Sequence, residues 1–269
     1  MSSGFNDVGF LGDDLDSWRD SVRAEFPASF AIADRMNRTG MRMIHEFPDG
    51  ELPEHRVLAI AAFYRALQSF QSAILLSERG ALAEARALAR LCCEAVIVTG
   101  GLLKVEGTLE KLHEDHAKHR LSLANSIIVM NQAAKTGRDL TQFNQEVARV
   151  KAEYPQESRP QWIKWATLAV QSGLSNLYEL SYRFPSGDGA HVTLGALHRH
   201  FDKDEQENLI GMIFHPDKSD LRDTLLAANA ALIHLLSLAQ EFMGLKHYEA
   251  EMRDLLLQWT VSREELGLQ

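Results

Sequence analysis

Arg86, Arg90 and Glu94 recur at four-residue spacing inside a run, Ala83 to Leu103, that is otherwise almost wholly apolar. On a helix, residues four apart lie one above the other, so Arg90 and Glu94 can pair while Arg86 continues their stripe one turn earlier. A buried pair of this kind is weak evidence for stability, because desolvating both charges offsets their attraction. Two roles remain open: an internal ion pair that fixes helix packing, or one wall of a polar pocket whose guanidinium grips a carboxylate or phosphate.

A second concentration of chemistry is LYELSYRFPSGDGAHVTLGALHRHF, Leu177 to Phe201. Trp162, Trp165, Ala169, Gly173, Leu180 and Arg183 fall on one stripe of the helical pattern before it, which aims Arg183 inward. Phe184–Pro185 then stops the helix, and the next six residues supply a hydroxyl (Ser186), a carboxylate (Asp188) and an imidazole (His191) on flexible backbone. These groups suit an anion site with His191 as acid–base residue. They equally suit a capped turn, with Ser186 or Asp188 capping a helix that begins near Ala190.

The run LHEDHAKH carries three histidines and invites a metal reading. At roughly 100° per residue, Leu109, Leu112, His116, Leu123, Ile127 and Met130 share one face, with His119 at its edge, whereas Glu110, His113 and Glu114 share the other. His113 and His119 therefore cannot ligate one ion unaided. Glu110-x-x-His113 has the spacing of di-iron bundles, but those sites need a second such pair, and the chain has none. No metal is expected. His116 points where leucines point, as a hydrogen-bonded core histidine or as part of the polar centre.

The elements that would position these residues are helical. Helical periodicity dominates, no alternating β-branched run marks a strand, and the expected fold is all-α, a single bundle of about seven to nine helices over residues 1–269 with 1–14 as a flexible lead. Helices are expected over about Leu15 to Asn37 (bent or broken at Pro27), Pro53 to Glu78, Leu82 to Val105, Leu109 to Lys135, Leu140 to Glu153, Pro160 to Arg183, Ser219 to Met243 and Lys246 to Glu265, with Ser186 to Pro216 irregular. The formal charge of −9, from 37 acidic and 28 basic residues, disfavours nonspecific nucleic-acid binding. Adjacent Cys92 and Cys93 cannot bridge each other without strain and fit a reducing cytoplasm. The N-terminal residues lack the pattern of a secretory signal, and the longest apolar run contains Asn229 and His234, so no membrane association is expected.

The run AAFYRALQSFQSAILLSERGALAEARALARLCCEAVIV resembles the core of a widespread bacterial and archaeal family of all-helical proteins known only as a domain of unknown function. The matching features are Gly80 after a helix end, Arg90 with Glu94, and Tyr182–Arg183 with Ser186 and His191, over roughly Ala61 to His191. Ser186 and His191 stand five apart here, where the family spacing is four, and Pro185, Gly187 and Gly189 make the segment loopier. The resemblance implies that Arg90, Glu94, Tyr182, Arg183 and His191 belong to one polar centre. It supplies no reaction.

Three functions compete. The first is a pocket that binds or processes a small anionic ligand, with Arg90 and Arg183 on the anion, Glu94 orienting an arginine and His191 as acid–base residue. Arg90, Glu94, Arg183 and His116 would then come together from three helices. The second is a non-enzymatic scaffold or regulator, in which the polar centre specifies packing and function lies on an outer surface. A nucleophile elbow, a Gly-rich phosphate loop, zinc spacing or paired glycosidase-like carboxylates would oppose it; none is present, and no cofactor is expected. The third is an RNA-cleaving helical domain of a bacterial conflict system, for which the only fitting spacing is Arg38 to His45, interrupted by Gly40 at an expected helix end. Sequence alone leaves open whether the chain is an enzyme.

Overall fold

The computed structural model describes residues 5–12, 15–48, 50–135, 137–155, 159–183 and 193–267. In chain order it comprises α1 (Phe5–Val8), a 3-10 turn (Gly9–Leu11), α2 (Asp16–Glu25), α3 (Pro27–Met43), α4 (Glu54–Glu78), α5 (Leu82–Lys104), α6 (Thr108–Ala134) and α7 (Thr141–Glu153). Then follow α8 (Trp165–Ser172), α9 (Ser175–Leu177), a π-helical stretch (Tyr178–Arg183), α10 (Leu194–His198), strands β1 (Phe201–Lys203) and β2 (Leu209–Met212), α11 (Leu221–Phe242), a 3-10 turn (Lys246–Tyr248) and α12 (Glu249–Glu265). The chain is all-α in class, 76% helical, with a two-stranded sheet as its one departure among the described residues. Twelve α-helices among the described residues exceed the expected seven to nine. Pro27 separates α2 from α3, Gly173 turns left-handed at φ +76° and divides α8 from α9, and short helices α1 and α10 add to the count.

The centre is an antiparallel pair, α4 and α5, with α11 packed against both, and α3 and α12 packed on α11 and on each other. α11 is the one helix among the described residues long and apolar enough to cross a membrane, and 67% of its apolar window is buried in the protein. It is a core helix: Leu225, Leu232, Leu235 and Leu236 are fully buried, each contributing about 1.5–3 kcal/mol by leaving water. Pro27 sits at the first turn of α3, where its missing N–H is no loss. Glu265 at the end of α12 accepts from the Ala28 and Ser29 amides at 3.0 and 2.9 Å, capping α3 from a distant part of the chain.

The opposite end of α12 is tied to α3 by charge. Glu251 accepts from Thr39 and pairs with Arg42, and although its own burial pushes its carboxyl up, these two partners win and hold it below the usual carboxylate range. A carboxyl lowered on folding stabilises above its unfolded value and ceases to do so as pH falls through the folded one. Acid unfolding monitored by circular dichroism is therefore expected to begin later in Glu251→Gln, relative to that variant's own neutral-pH stability, than in the unaltered chain. An identical acid dependence would show that Glu251 is not held low.

The hairpin is the element absent from the sequence expectation. β1 pairs with β2 antiparallel, Phe201 opposite Met212, and Asp204 organises the turn by accepting from the Gln206 and Asn208 amides at 3.0 and 2.8 Å. Among the described residues the helix of this region is α10, and its cap is Thr193, whose Oγ1 accepts from the Ala196 amide at 3.2 Å. Ser186, Asp188 and Ala190 lie outside the described residues.

Candidate functional site

α5 is buried on most sides because small residues, Ala85, Ala89, Cys92 and Val96 among them, let α4 and α11 approach closely. Arg90 and Glu94 lie where that burial thins. Arg90 Nη2 meets Glu94 Oε1 at 3.2 Å, with both side chains about one-fifth exposed. The same nitrogen donates to the Tyr182 hydroxyl at 3.0 Å, and the guanidinium lies over the Tyr182 ring, 4.5 Å from its centroid. Tyr182 in turn stacks on Tyr178 at 4.9 Å and adjoins Trp165 at 6.3 Å. Burial pushes the Glu94 carboxyl up, against the opposing pull of Arg90. Arg90 Nε is buried without a hydrogen-bond partner among the described residues, its plane given to the aromatic ring.

One turn earlier, Arg86 is buried and meets Asp220 Oδ2 at 3.1 Å. Arg199 pairs with that same oxygen and also lies 3.7 Å from Asp217. The run Pro216–Asp217 is held against the α4–α5 corner, where the Asp217 amide donates to the Gly80 carbonyl at 3.0 Å. Gly80 has φ +75°, and a Cβ there would stand 2.7 Å from the Asp217 nitrogen and 2.8 Å from Pro216. The stripe is thus a set of anchors: Arg90 holds the π-helical stretch to α5, and Arg86 holds the start of α11 and, through Asp220, the end of α10. Beside the second anchor lies a cavity of about 260 Å³ whose wall includes Phe10, Glu84, Arg199, His200, Phe214 and His215.

The model of a family described as Family of unknown function (DUF5677) matches residues 56–208, more than half of the chain. The chain belongs to this family. No curated protein and no solved structure matches it. The family region runs from α4 through β1 and contains Gly80, Arg86, Arg90, Glu94, Tyr182, Arg183 and Arg199, while Asp217 and Asp220, which close the second anchor, lie beyond it.

Of the residues expected at one DUF5677 centre, Arg90, Glu94 and Tyr182 are together. Arg183 is not: its side chain is 72% exposed and pairs with Glu179 at 3.3 Å, because the π-helical stretch puts Tyr182 on the inward side one residue early. His116 is also turned out, exposed on α6. The buried face of α6 runs through Ala117 and Ala124, and the leucine-marked face is largely solvated, with Leu123 54% and Met130 69% exposed. Arg90, Glu94, Arg183 and His116 therefore do not converge. Ser186 and His191 lie outside the described residues. His113 lies 3.0 Å from Glu54 on an exposed face, and no three metal-ligating side chains are grouped among the described residues. Arg38 and His45 are both exposed, and α3 runs unbroken through Gly40 to Met43 where a helix end was expected.

A second feature had no signal in the spacing of polar residues. α6 leaves the core after its first turns and pairs chiefly with α7, forming an arm in which three of 27 helical residues are buried: Thr108, Ala117 and Ala124. Arg120 joins the two helices through Glu146 at 3.1 Å and Glu153 at 3.5 Å. Asp115 accepts from the Ile163 amide at 2.8 Å and brings Trp162 alongside, where its ring lies 6.4 Å from His119.

Proposed function

We propose that this DUF5677 member is a non-catalytic helical scaffold or regulator of the prokaryotic cytoplasm, whose polar stripe specifies packing and whose outward α6–α7 arm makes contact with a partner. What carries this reading is the engagement of the stripe within the fold: Arg90 with Glu94 and Tyr182, Arg86 with Asp220. The bonds to Tyr182 and Asp220 fasten segments remote in sequence to α5, which is the work of a register device. The buried Cys92 and Cys93, both free, agree with a reducing compartment.

The cavity beside Arg199, His200 and His215 favours a second reading, a pocket for a small anion such as a phosphate or carboxylate, displaced from Arg90 toward the first turn of α5. Asp217 and Glu84 in its wall weigh against that. Thermal unfolding separates the two. As a scaffold, the protein should show no greater shift in Tm with about 20 mM inorganic phosphate than with sodium chloride of equal ionic strength. A phosphate-specific rise of several degrees, lost in Arg199→Gln, would overturn the scaffold reading in favour of the pocket.

A further inference from the structure

Two open grooves adjoin along α6, of about 650 Å³ and 550 Å³, sharing Lys118, Leu121 and Asn125. The first continues over Val129, Met130 and Trp162, which are 62%, 69% and 49% exposed; large apolar side chains so placed, side by side, mark a contact surface more often than a solvated one. The second is bounded by Lys151, Tyr154 and Arg159. Lys118, Lys151 and Arg159 are the charged residues of the described lining, with no carboxylate among them, on a chain whose net charge is −9. The nearest acidic groups of α7, Glu146 and Glu153, are already held by Arg120 and Arg149.

Resting on the reading of the arm as the contact surface, we infer that this groove receives an acidic amphipathic helix of a partner protein, its aliphatic face on Leu121, Val129, Met130 and Trp162 and its carboxylates toward Lys118, Lys151 and Arg159. The geometry suits a helix laid in a groove, where apolar anchors recur every three or four residues and an unbranched Met adapts to them. A nucleic acid is the poorer occupant. Three of the four anchors offer aliphatic contact instead of a stacking face, and a polyanion that outruns the groove meets a net-negative molecule.

The test is fluorescence anisotropy of the full chain with labelled designed peptides of about 18 residues, roughly 27 Å as helix. One carries a leucine stripe flanked by glutamates, a second has lysine for every glutamate, and a third scrambles the first; an oligo(dT) of similar length completes the set. Saturable binding of the glutamate peptide is expected, weakened about tenfold or more by Lys151→Glu with Arg159→Glu and likewise by Val129→Ser with Met130→Ser. All four positions are exposed, so circular dichroism should be unchanged in both variants. If the lysine peptide binds as well and the charge reversal has no effect, the acidic chemistry is wrong, while loss of that binding on changing Val129 and Met130 would leave the arm standing as the contact surface. If the scrambled peptide or oligo(dT) binds better, or no peptide binds at about 1 mM, the inference is overturned, and in the last case the arm reading falls with it. Self-association abolished by the Val129 and Met130 changes, without peptide binding, would assign the groove to a second copy and equally overturn it.

Discussion

Gly80→Ala is expected to destabilise the protein by about 3–4 kcal/mol, far more than one added methyl normally does. Two effects add. At φ +75° an L-residue is strained by about 1 kcal/mol or more relative to glycine. Beyond that, the new Cβ would stand 2.7 Å from the backbone nitrogen of Asp217 and 2.8–2.9 Å from Pro216, and backbone atoms yield less readily than the end of a side chain. Relief requires the Pro216–Asp217 run to lift away, which breaks the Asp217 amide bond to the Gly80 carbonyl and pulls on Asp220, the partner of Arg86 and Arg199. Gly107→Ala separates the two effects, since Gly107 has φ +77° and nothing within 4 Å of a Cβ; it should lose only about 1 kcal/mol. Urea unfolding of the three proteins measures both. A Gly80→Ala loss no greater than that of Gly107→Ala would mean that the Pro216 run is not docked on this corner.

Gly80 also shows what was readable in sequence and what was not. Its role as a helix stop was legible, because glycine after an apolar-periodic run is a local signal, and α4 ends at Glu78 as expected. Its second role, receiving the backbone of Pro216–Asp217, depends on residues more than 130 positions away and leaves no local trace. The Arg90–Glu94 pair was legible for the same reason that Arg86–Asp220 was only half so: the first is a four-residue spacing on one helix, the second joins two elements that only the tertiary fold brings together. Of the expected Tyr182–Arg183 pair only Tyr182 reaches Arg90, because the expected straight helix from Pro160 starts at Trp165, breaks at Gly173 and passes through a short α-turn into π geometry, so no single 100° rotation links Trp162 to Arg183.

The face of α6 departs from the sequence expectation for a different physical cause. Large apolar residues ordinarily mark the buried side, but α6, whose chief partner is α7, buries the small Ala117 and Ala124 and turns Leu123, Val129 and Met130 to solvent. An amphipathic pattern reports which residues avoid water in the working assembly, and a lone chain need not satisfy it. The hairpin escaped notice because strands of three and four residues are too short to show alternation, and Leu209, Ile210 and Met212 are all exposed.

Breaking and replacing the Arg90–Glu94 pair should have opposite consequences. Arg90→Ala removes the guanidinium but leaves Glu94 in a setting that already disfavours its charge, and the Tyr182 hydroxyl loses its donor. The expected loss is about 2–3 kcal/mol, at the low end for a buried pair because both side chains keep about a fifth of their surface in water. Arg90→Met with Glu94→Leu removes both charges together, fills the space, and retains a sulfur contact with the Tyr182 ring in place of the cation over it, so it should unfold within about 1 kcal/mol of the unaltered chain. The pH dependence offers an independent check. A carboxyl raised on folding stabilises below its unfolded value and costs stability as pH rises through the folded one, so the unaltered chain should gain stability relative to the double variant as pH falls through the carboxylate range. If the pair is a packing device, the double variant should bind the glutamate peptide as tightly as before, since the arm lies apart from the stripe. A double variant as unstable as Arg90→Ala would show that the guanidinium's stack on Tyr182 holds the π-helical stretch in place. One that is stable yet no longer binds would return Arg90 and Glu94 to the functional surface and defeat the scaffold reading.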